Sequence, residues 1–366
     1  MINNQKILQL AQIHLKGFRC FDNITFNLDS PVVMIYGING AGKTSLLEAL
    51  YYGCYLRSFR TNNAKDLIAI NRESFFMQLS INDMDDIPLN HTITIGFSDN
   101  KRLVKVNNKS TISYKDLLAY YRVISLTEDD LLLIKGAPEY RRAFIDQALL
   151  LNNHSFLSIL REYRVIVDQR NSLLNKESVN NDEYLIWTKT LWKHTQSIQA
   201  MRLEFLKQLE EGINIMLYNI FKDDITVTLS YQAKKNSDLE FKEFLKTNST
   251  LFQNERYFKR SLFGAHLDDF SIIFEGKKSR SFASRGQQKM LTLLIKAAQI
   301  HHNHMKGPSI FLLDDFMTDF DKEKSECMLS VLLSLKCQLI FTSPHRDNPL
   351  ENALKHSGVS YRIVTI

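Results

Sequence analysis

The run Val32-Val33-Met34-Ile35-Tyr36 passes directly into Gly37-Ile38-Asn39-Gly40-Ala41-Gly42-Lys43-Thr44-Ser45, and this join restricts the chain more than any other stretch. The apolar run reads as a buried strand, the glycines as a turn, and the residues to about Leu56 as an amphipathic helix. The spacing G-x-x-x-x-G-K-T is that of a phosphate-binding loop. Gly37, Gly40 and Gly42 free the backbone from conformational limits imposed by a Cβ, so N–H groups can converge on phosphate oxygens at the helix N-terminus. Lys43 is expected to reach the β- and γ-phosphates of ATP, and Thr44 to place its hydroxyl on Mg²⁺, with Ile38, Asn39, Ala41 and Ser45 completing the cradle.

The length of 366 residues suggests about two compact units. The four cysteines, Cys20, Cys54, Cys327 and Cys337, form no C-x-x-C pair, which argues against a zinc site or a disulfide framework and fits a reducing cytoplasm. No apolar run is long enough to span a bilayer, and no signal-peptide pattern opens the chain, so no membrane partner is expected. A formal charge of +6 permits a nucleic-acid partner without requiring one.

Ile7 to Leu28 reads as two strands bent at Leu15–Phe21, where Arg19 either lies near the nucleotide or caps the turn. Residues 75–106 alternate apolar and polar, with Asp99-Asn100 and Asn107-Asn108 at the turns, which predicts antiparallel hairpins. Arg57 and Arg60 after the first helix, and Lys101, Arg102 and Lys105 on the hairpins, are candidates for DNA contact from charge alone; helix-end and edge-strand charges also arise without any ligand. Val123–Leu126 is a strand, and Thr127 with Asp130 forms a capping box. Tyr140–Lys176 and Asp182–Phe221 are helical, the second with Leu191, Ile198, Phe205, Leu209 and Ile213 on one face. They are expected to form an antiparallel pair, with no long coiled coil. Ile225–Tyr231 returns to strand, two shorter helices lead to Leu262, and a hairpin-like pair ends near Phe282.

Ser284-Arg285-Gly286-Gln287-Gln288-Lys289 opens a helix whose residues Met290, Leu291, Leu294, Ile295 and Ala298 share a face. Ser284 suits the N-cap, and the exposed N–H groups form a second anion site. Ser309–Leu313 is an apolar strand ending in Asp314-Asp315. Asp314 is placed to hold Mg²⁺ opposite Thr44, and Asp315 to orient or deprotonate a water. Gln338–Thr342 is a further core strand, and His345 beyond it is a candidate γ-phosphate sensor.

Taken together, Leu15–Phe21, the phosphate loop through Ala49, Arg57–Arg60, Leu131–Asp146, Ser284–Lys289 and Leu312–Asp321 resemble the RecF family of bacterial recombination mediators, ABC-type ATPases related to the SMC proteins. The resemblance implies an α/β fold: a P-loop ABC-type head with an antiparallel β subdomain and an α-helical second lobe. The expected segments are 1–127 (phosphate loop and β subdomain), 128–221 (helical lobe) and 222–366 (signature and Asp314). It also implies ATP-dependent homodimerisation, in which Ser284–Gln288 of one subunit completes the phosphate loop of the other. The implied role is weak, DNA-stimulated ATP hydrolysis at single-stranded/double-stranded junctions in recombinational repair, with RecO and RecR as partners. Thr127, Ala265, Leu267 and the loop Met317–Asp321 depart from the family pattern. The competing expectations are an ATPase energising a membrane transporter, which usually carries a glutamate where Asp315 stands, and a nucleotide-gated scaffold with negligible turnover.

Overall fold

A computed structural model describes residues 8–83, 90–110, 117, 118, 120–222, 225–235, 239–304, 309–317 and 320–366. The chain forms two compact units, Met1–Asp130 with Lys289–Ile366, and Leu131–Gln288. The expected segment 222–366 is thus divided, with residues up to Gln288 belonging to the same unit as the long helices.

The first unit opens with β1 (Leu8–Phe18), β2 (Phe21–Asn27), β3 (Val32–Tyr36) and α1 (Lys43–Tyr55). It continues through β4 (Ser74–Asp83), β5 (Asn90–Ser98), β6 (Lys101–Val106), β7 (Lys109–Ser110) and β8 (Arg122–Leu126). The second unit contains α2 (Leu132–Lys135), α3 (Pro138–Asn152), α4 (His154–Leu174), α5 (Asn181–Phe221) and β9 (Val227–Gln232). It ends with α6 (Phe241–Thr247), α7 (Ser249–Phe258), β10 (Asp269–Phe274), β11 (Lys277–Lys278) and α8 (Ser279–Phe282). Helix α9 (Arg285–His304) leads back into the first unit, which closes with β12 (Ser309–Leu313), α10 (Lys322–Ser334), β13 (Gln338–Ser343), α11 (Pro349–Ser357) and β14 (Tyr361–Thr365).

Two sheets build the first unit. The antiparallel sheet has the order β2-β1-β4-β5-β6-β7. Its period-two pattern pairs Leu15 with Met77, Ile13 with Leu79, and Leu79 with Ile93, all fully buried, so one face is core. Asp99 and Asn100 both have positive φ (48° and 60°), which is what a two-residue hairpin turn needs. The parallel sheet has the order β14-β3-β13-β12-β8. Every residue of β3, β12 and β13 is buried, as expected of strands covered on both faces. The Gln338 side chain joins the sheets: the two N–H groups of its Nε2 are shared among the carbonyls of Leu10 (3.0 Å), Leu28 (2.9 Å) and Ser30 (3.1 Å), and its Oε1 accepts the Leu10 N–H at 2.9 Å.

In the second unit α4 and α5 run antiparallel, since Arg170 meets Thr188 while Glu162 meets His194. The single helical stretch expected over Tyr140–Lys176 is instead two helices. Asn153 (φ −138°, ψ 109°) ends α3 and accepts the Ser155 N–H to start α4. Half of the predicted capping box forms: Asp130 Oδ2 accepts the Thr127 N–H at 2.8 Å, but the Asp130 N–H donates to the Thr127 carbonyl rather than to its hydroxyl. The segment starts a 3₁₀ turn over Glu128–Leu131 before the one-turn helix α2. The sequence pattern does not announce β14 or α11. Among the described residues the longest helix, α5, has 41 residues, and no helix is long and apolar enough to cross a membrane.

Candidate nucleotide site

The parallel strands β3, β13 and β12 lie side by side and end at the same edge, the position where open α/β sheets present ligand-binding groups. β3 feeds the loop Gly37–Gly42. Gly42 has φ 109°, and a Cβ there would meet Cys20 Sγ at 2.6 Å and the Phe21 ring at 3.0 Å, so both conformation and space demand glycine. Helix α1 has no side-chain cap and no acidic residue in its first turn, which leaves its N-terminal N–H groups and positive dipole end for an anion. Ile38, Asn39 and Gly40 are exposed, Ile38 at 78 %. Lys43 is buried under the loop and donates to the carbonyls of Gly37 (2.7 Å) and Ile38 (3.2 Å).

Asp314 stands at the end of β12. Its Oδ2 accepts the Thr44 hydroxyl at 2.7 Å, and its Oδ1 accepts the Thr342 hydroxyl from β13, also at 2.7 Å. Thr342 Oγ1 accepts in turn the Asp315 N–H at 2.8 Å, and Asp315 holds a left-handed backbone (φ 49°). The loop, Asp314 and Asp315, separated by some 270 residues of sequence, are therefore tied through two threonines. A hydroxyl and a carboxylate are hard oxygen donors of the kind Mg²⁺ takes, so these residues fit that ion. His345, in the turn after β13, is exposed. Its carbonyl accepts from Ser343 Oγ (2.9 Å) and Asn348 Nδ2 (2.9 Å), which fixes the turn. Strand β14 adds a wall: the Ile366 N–H donates to the Tyr36 carbonyl, and a Cβ on Gly37 would lie 3.1 Å from the Ile366 carbonyl oxygen. The Tyr36 hydroxyl donates to Glu351 at 2.7 Å, and burial, helped by that carboxylate, keeps the phenol protonated far above its ordinary range.

Arg19 precedes Cys20, the residue against Gly42, and its backbone N–H donates to the Leu67 carbonyl at the end of the 3₁₀ turn Ala64–Leu67. It makes a two-pronged bond to Glu48 (2.8 and 2.7 Å), a fully buried carboxylate of α1, and a third bond to the Asp66 carbonyl. Ser58 also donates to Glu48, and Arg60 approaches it at 3.4 Å. Glu48 therefore organises the basic stretch after α1, a role the sequence does not announce because its partners lie 10 to 29 residues away. Of the other candidate DNA-contact residues, Arg57 lies over the Tyr55 ring at 5.8 Å and Arg102 over Tyr52 at 5.3 Å. Lys101 is exposed and Lys105 half-buried.

The signature stretch belongs to the second unit. Ser284 caps as expected, in a reciprocal box: Gln287 N–H donates to Ser284 Oγ (3.3 Å) and Ser284 N–H to Gln287 Oε1 (2.9 Å). Ser284, Arg285 and Gly286 are exposed, and Gln288 donates to the Ala283 carbonyl. A Cβ on Gly286 would meet nothing within 4 Å. Lys289, at the start of the next turn and in the first unit, is buried, 3.2 Å from Glu128 and over the Phe316 ring at 5.0 Å. Of the divergent loop Met317–Asp321, Thr318 and Asp319 lie outside the described residues. Ala265 and Leu267 sit in a 3₁₀ turn of the second unit, where Arg202 donates to the Ala265 carbonyl at 2.6 Å.

Similarity to known proteins extends over nearly the whole chain. It is 29 % identical to the DNA replication and repair protein RecF of Clostridium acetobutylicum, across 97 % of this chain and 98 % of that one. The RecF of Bacillus cereus is 28 % identical, across 94 % of each chain. A solved structure of the recombination mediator protein RecF with ATP, in the RecFOR pathway, superposes with a TM-score of 0.79 at 23 % identity over 95 % of both chains. The same fold is found in an Smc head domain from Pyrococcus furiosus, with a TM-score of 0.55 at 12 % identity over 95 % of this chain and 92 % of that one. Residues 9–364 match the RecF/RecN/SMC N terminal domain, and the chain belongs to that family.

Proposed function

We propose that the chain is a RecF-type ATPase of recombinational DNA repair: it binds ATP at Gly37–Ser45, dimerises around it, and hydrolyses it slowly. The observation that carries the reading is the bond from Thr44 to Asp314, which joins a glycine loop suited to phosphate with a carboxylate suited to a divalent cation. Thr44 and Asp314 would hold Mg²⁺, which neutralises charge on the β- and γ-phosphate oxygens. Lys43 already points back over the loop that would cradle the phosphates, so exchanging the Gly37 and Ile38 carbonyls for phosphate oxygens needs only side-chain rotation. Asp315 is the residue proposed to orient or deprotonate the attacking water, and His345 the one to sense the γ-phosphate.

Gly286 supports a site completed in trans. Gly286 is exposed in the first turn of α9, and a Cβ there would meet nothing within 4 Å in this chain, so no internal contact explains the glycine. A requirement from outside the chain, such as a nucleotide held by a second copy, accounts for it. Two copies would clamp two ATP molecules symmetrically, and hydrolysis would remove the bridging γ-phosphate and favour separation. DNA at single-stranded/double-stranded junctions is the proposed stimulus, with Arg57, Arg60, Lys101, Arg102 and Lys105 as candidate contacts. The partners proposed from the family are RecO and RecR, and the proposed location is the cytoplasm.

Light scattering with and without ATP and gapped DNA tests this directly. The wild type is expected to double in mass with ATP; Lys43→Ala is expected to lose both nucleotide binding and the dimer, and Ser284→Arg only the dimer. A Ser284→Arg protein that dimerises normally would remove the trans arrangement.

A further inference from the structure

The second unit carries a feature that ATP binding does not use. Five consecutive residues, Arg256-Tyr257-Phe258-Lys259-Arg260, are exposed between two buried ones, Glu255 and Ser261. Tyr257 is 81 % exposed and Phe258 54 %, their rings meeting edge to face at 5.1 Å. Rings of this size are ordinarily covered, and here they are held in the open by a rigid frame. Glu255 is wholly buried; it pairs with the equally buried Arg170 and accepts from the Tyr184 hydroxyl (2.6 Å) and the Leu262 N–H (2.7 Å). Ser261 donates its N–H and hydroxyl to Asn171 Oδ1, both at 2.8 Å. The turn itself is set by Lys259 in the left-handed conformation (φ 52°). Both ends of the exposed segment are thus fastened to the core, so its geometry exists before any partner arrives.

We propose that Arg256–Arg260 is a docking platform for single-stranded nucleic acid. Tyr257 and Phe258 present faces on which unstacked bases sit, and Arg256, Lys259 and Arg260 meet the phosphates. The charges decide the class of partner. Among the described residues none of the three cations is ion-paired; Arg256 donates to the neutral Asn181 at 2.7 Å and lies over Tyr184. An apolar protein surface would leave these cations unpaired, whereas a strand supplies one phosphate per nucleotide. In a duplex the base faces are already covered, so the rings favour a single strand.

The inference rests on the DNA reading above and specifies which strand contact the second unit makes. Fluorescence anisotropy with a labelled oligothymidylate and a blunt duplex of equal length tests it. Tyr257→Ala/Phe258→Ala is expected to weaken strand binding about 10- to 100-fold while leaving duplex binding and ATP binding unchanged. Lys259→Gln/Arg260→Gln is expected to flatten the salt dependence of strand binding. An oligonucleotide carrying 5-iododeoxyuridine is expected to crosslink to Tyr257 or Phe258. Unchanged strand affinity in the aromatic double variant overturns the platform, even if the turn then captures a protein or an anionic vesicle. A wild type that binds neither strand nor duplex overturns the DNA reading itself, so the two failures are distinct.

Discussion

In the first unit Asp314 is held by two threonine hydroxyls, while in the second the buried Asp268 and Glu255 and the half-buried Asp146 and Asp269 are held by arginines, phenols and amides. Asp268 accepts from Gln199 (2.8 Å), Tyr231 (2.7 Å) and the Lys234 N–H (2.7 Å). Asp269 takes both prongs of Arg141, Asp146 both prongs of Arg202, and Glu255 is paired with Arg170. Hydroxyls are weak, exchangeable partners that can be turned toward a cation or a phosphate. Guanidinium pairs in a buried setting are expensive to break, because removing one partner strands the other. The same residue type thus serves a changeable site at the edge of the parallel sheet and a fixed scaffold elsewhere, in the second unit and at Glu48 of the first.

The largest expected effects test that contrast as a pair. Asp314→Asn keeps an acceptor for Thr44 and presents an amide to the Thr342 oxygen, so the unfolding free energy is expected to move by less than about 1 kcal/mol. Turnover of ATP is expected to fall on the order of 100-fold or more, because the negative charge is lost. Arg170→Leu is expected to do the reverse, costing about 3–5 kcal/mol of stability while leaving the residues of the phosphate loop untouched. Arg170→Leu/Glu255→Leu should recover much of that loss, since no charge is then stranded. Urea unfolding followed by tryptophan fluorescence reports on the right unit, because the chain's two tryptophans, Trp187 and Trp192, both lie in α5. A stable Arg170→Leu protein would break the comparison.

A middle-sized effect sharpens it through pH. Burial pushes the His266 imidazole down from 6.5 to about 4, with nearby arginines adding to the shift and Asp268 opposing it. Its Nδ1 lies 2.7 Å from the Tyr163 hydroxyl, a natural donor to the neutral ring. Between about pH 6.5 and about pH 4 the unfolded chain therefore binds the proton and the folded chain does not. This contribution is complete above pH 6.5 and is lost as pH falls through that window, amounting to at most ~3 kcal/mol. Unfolding midpoints at pH 7.5 and pH 5 should diverge more for the wild type than for His266→Asn. Equal divergence would assign the acid sensitivity to other groups.

What the sequence discloses and what it withholds follow from the range of the forces involved. The phosphate loop, the fully apolar β3, β12 and β13, the hairpins at Asp99-Asn100 and the stripe of α5 are written in adjacent residues, so period and glycine placement reveal them. Asp314 is legible because a carboxylate ends an apolar strand. The pairings Arg19–Glu48, Arg170–Glu255 and Gln338 with Leu10 are not legible. Each joins residues 29 to 328 positions apart, and an arginine in a helix or a glutamine opening a strand reads locally as surface. β14 escaped because five residues with a half-exposed pattern resemble many loops until β3 is there to pair with them.

The smallest effect concerns the break between α3 and α4, which local pattern conceals. Leu149-Leu150-Leu151 carries the helical apolar pattern up to the break, and Phe156 and Leu160 resume it, so hydrophobicity alone gives one long helix. The side chain of Asn153 accepts the Ser155 N–H at 3.0 Å and the Ser155 hydroxyl at 2.7 Å, while its own N–H closes α3 on the Leu149 carbonyl. If this cap sets the break, Asn153→Ala should cost about 1 kcal/mol and Asn153→Gly only a few tenths, because glycine keeps the extended backbone at little penalty. If packing of the flanking helices sets the break, the two substitutions should rank the other way, since glycine then adds only unfolded-state entropy. Urea unfolding of the pair, read at the same tryptophans, decides whether the Asn153 cap or the surrounding core divides this helix.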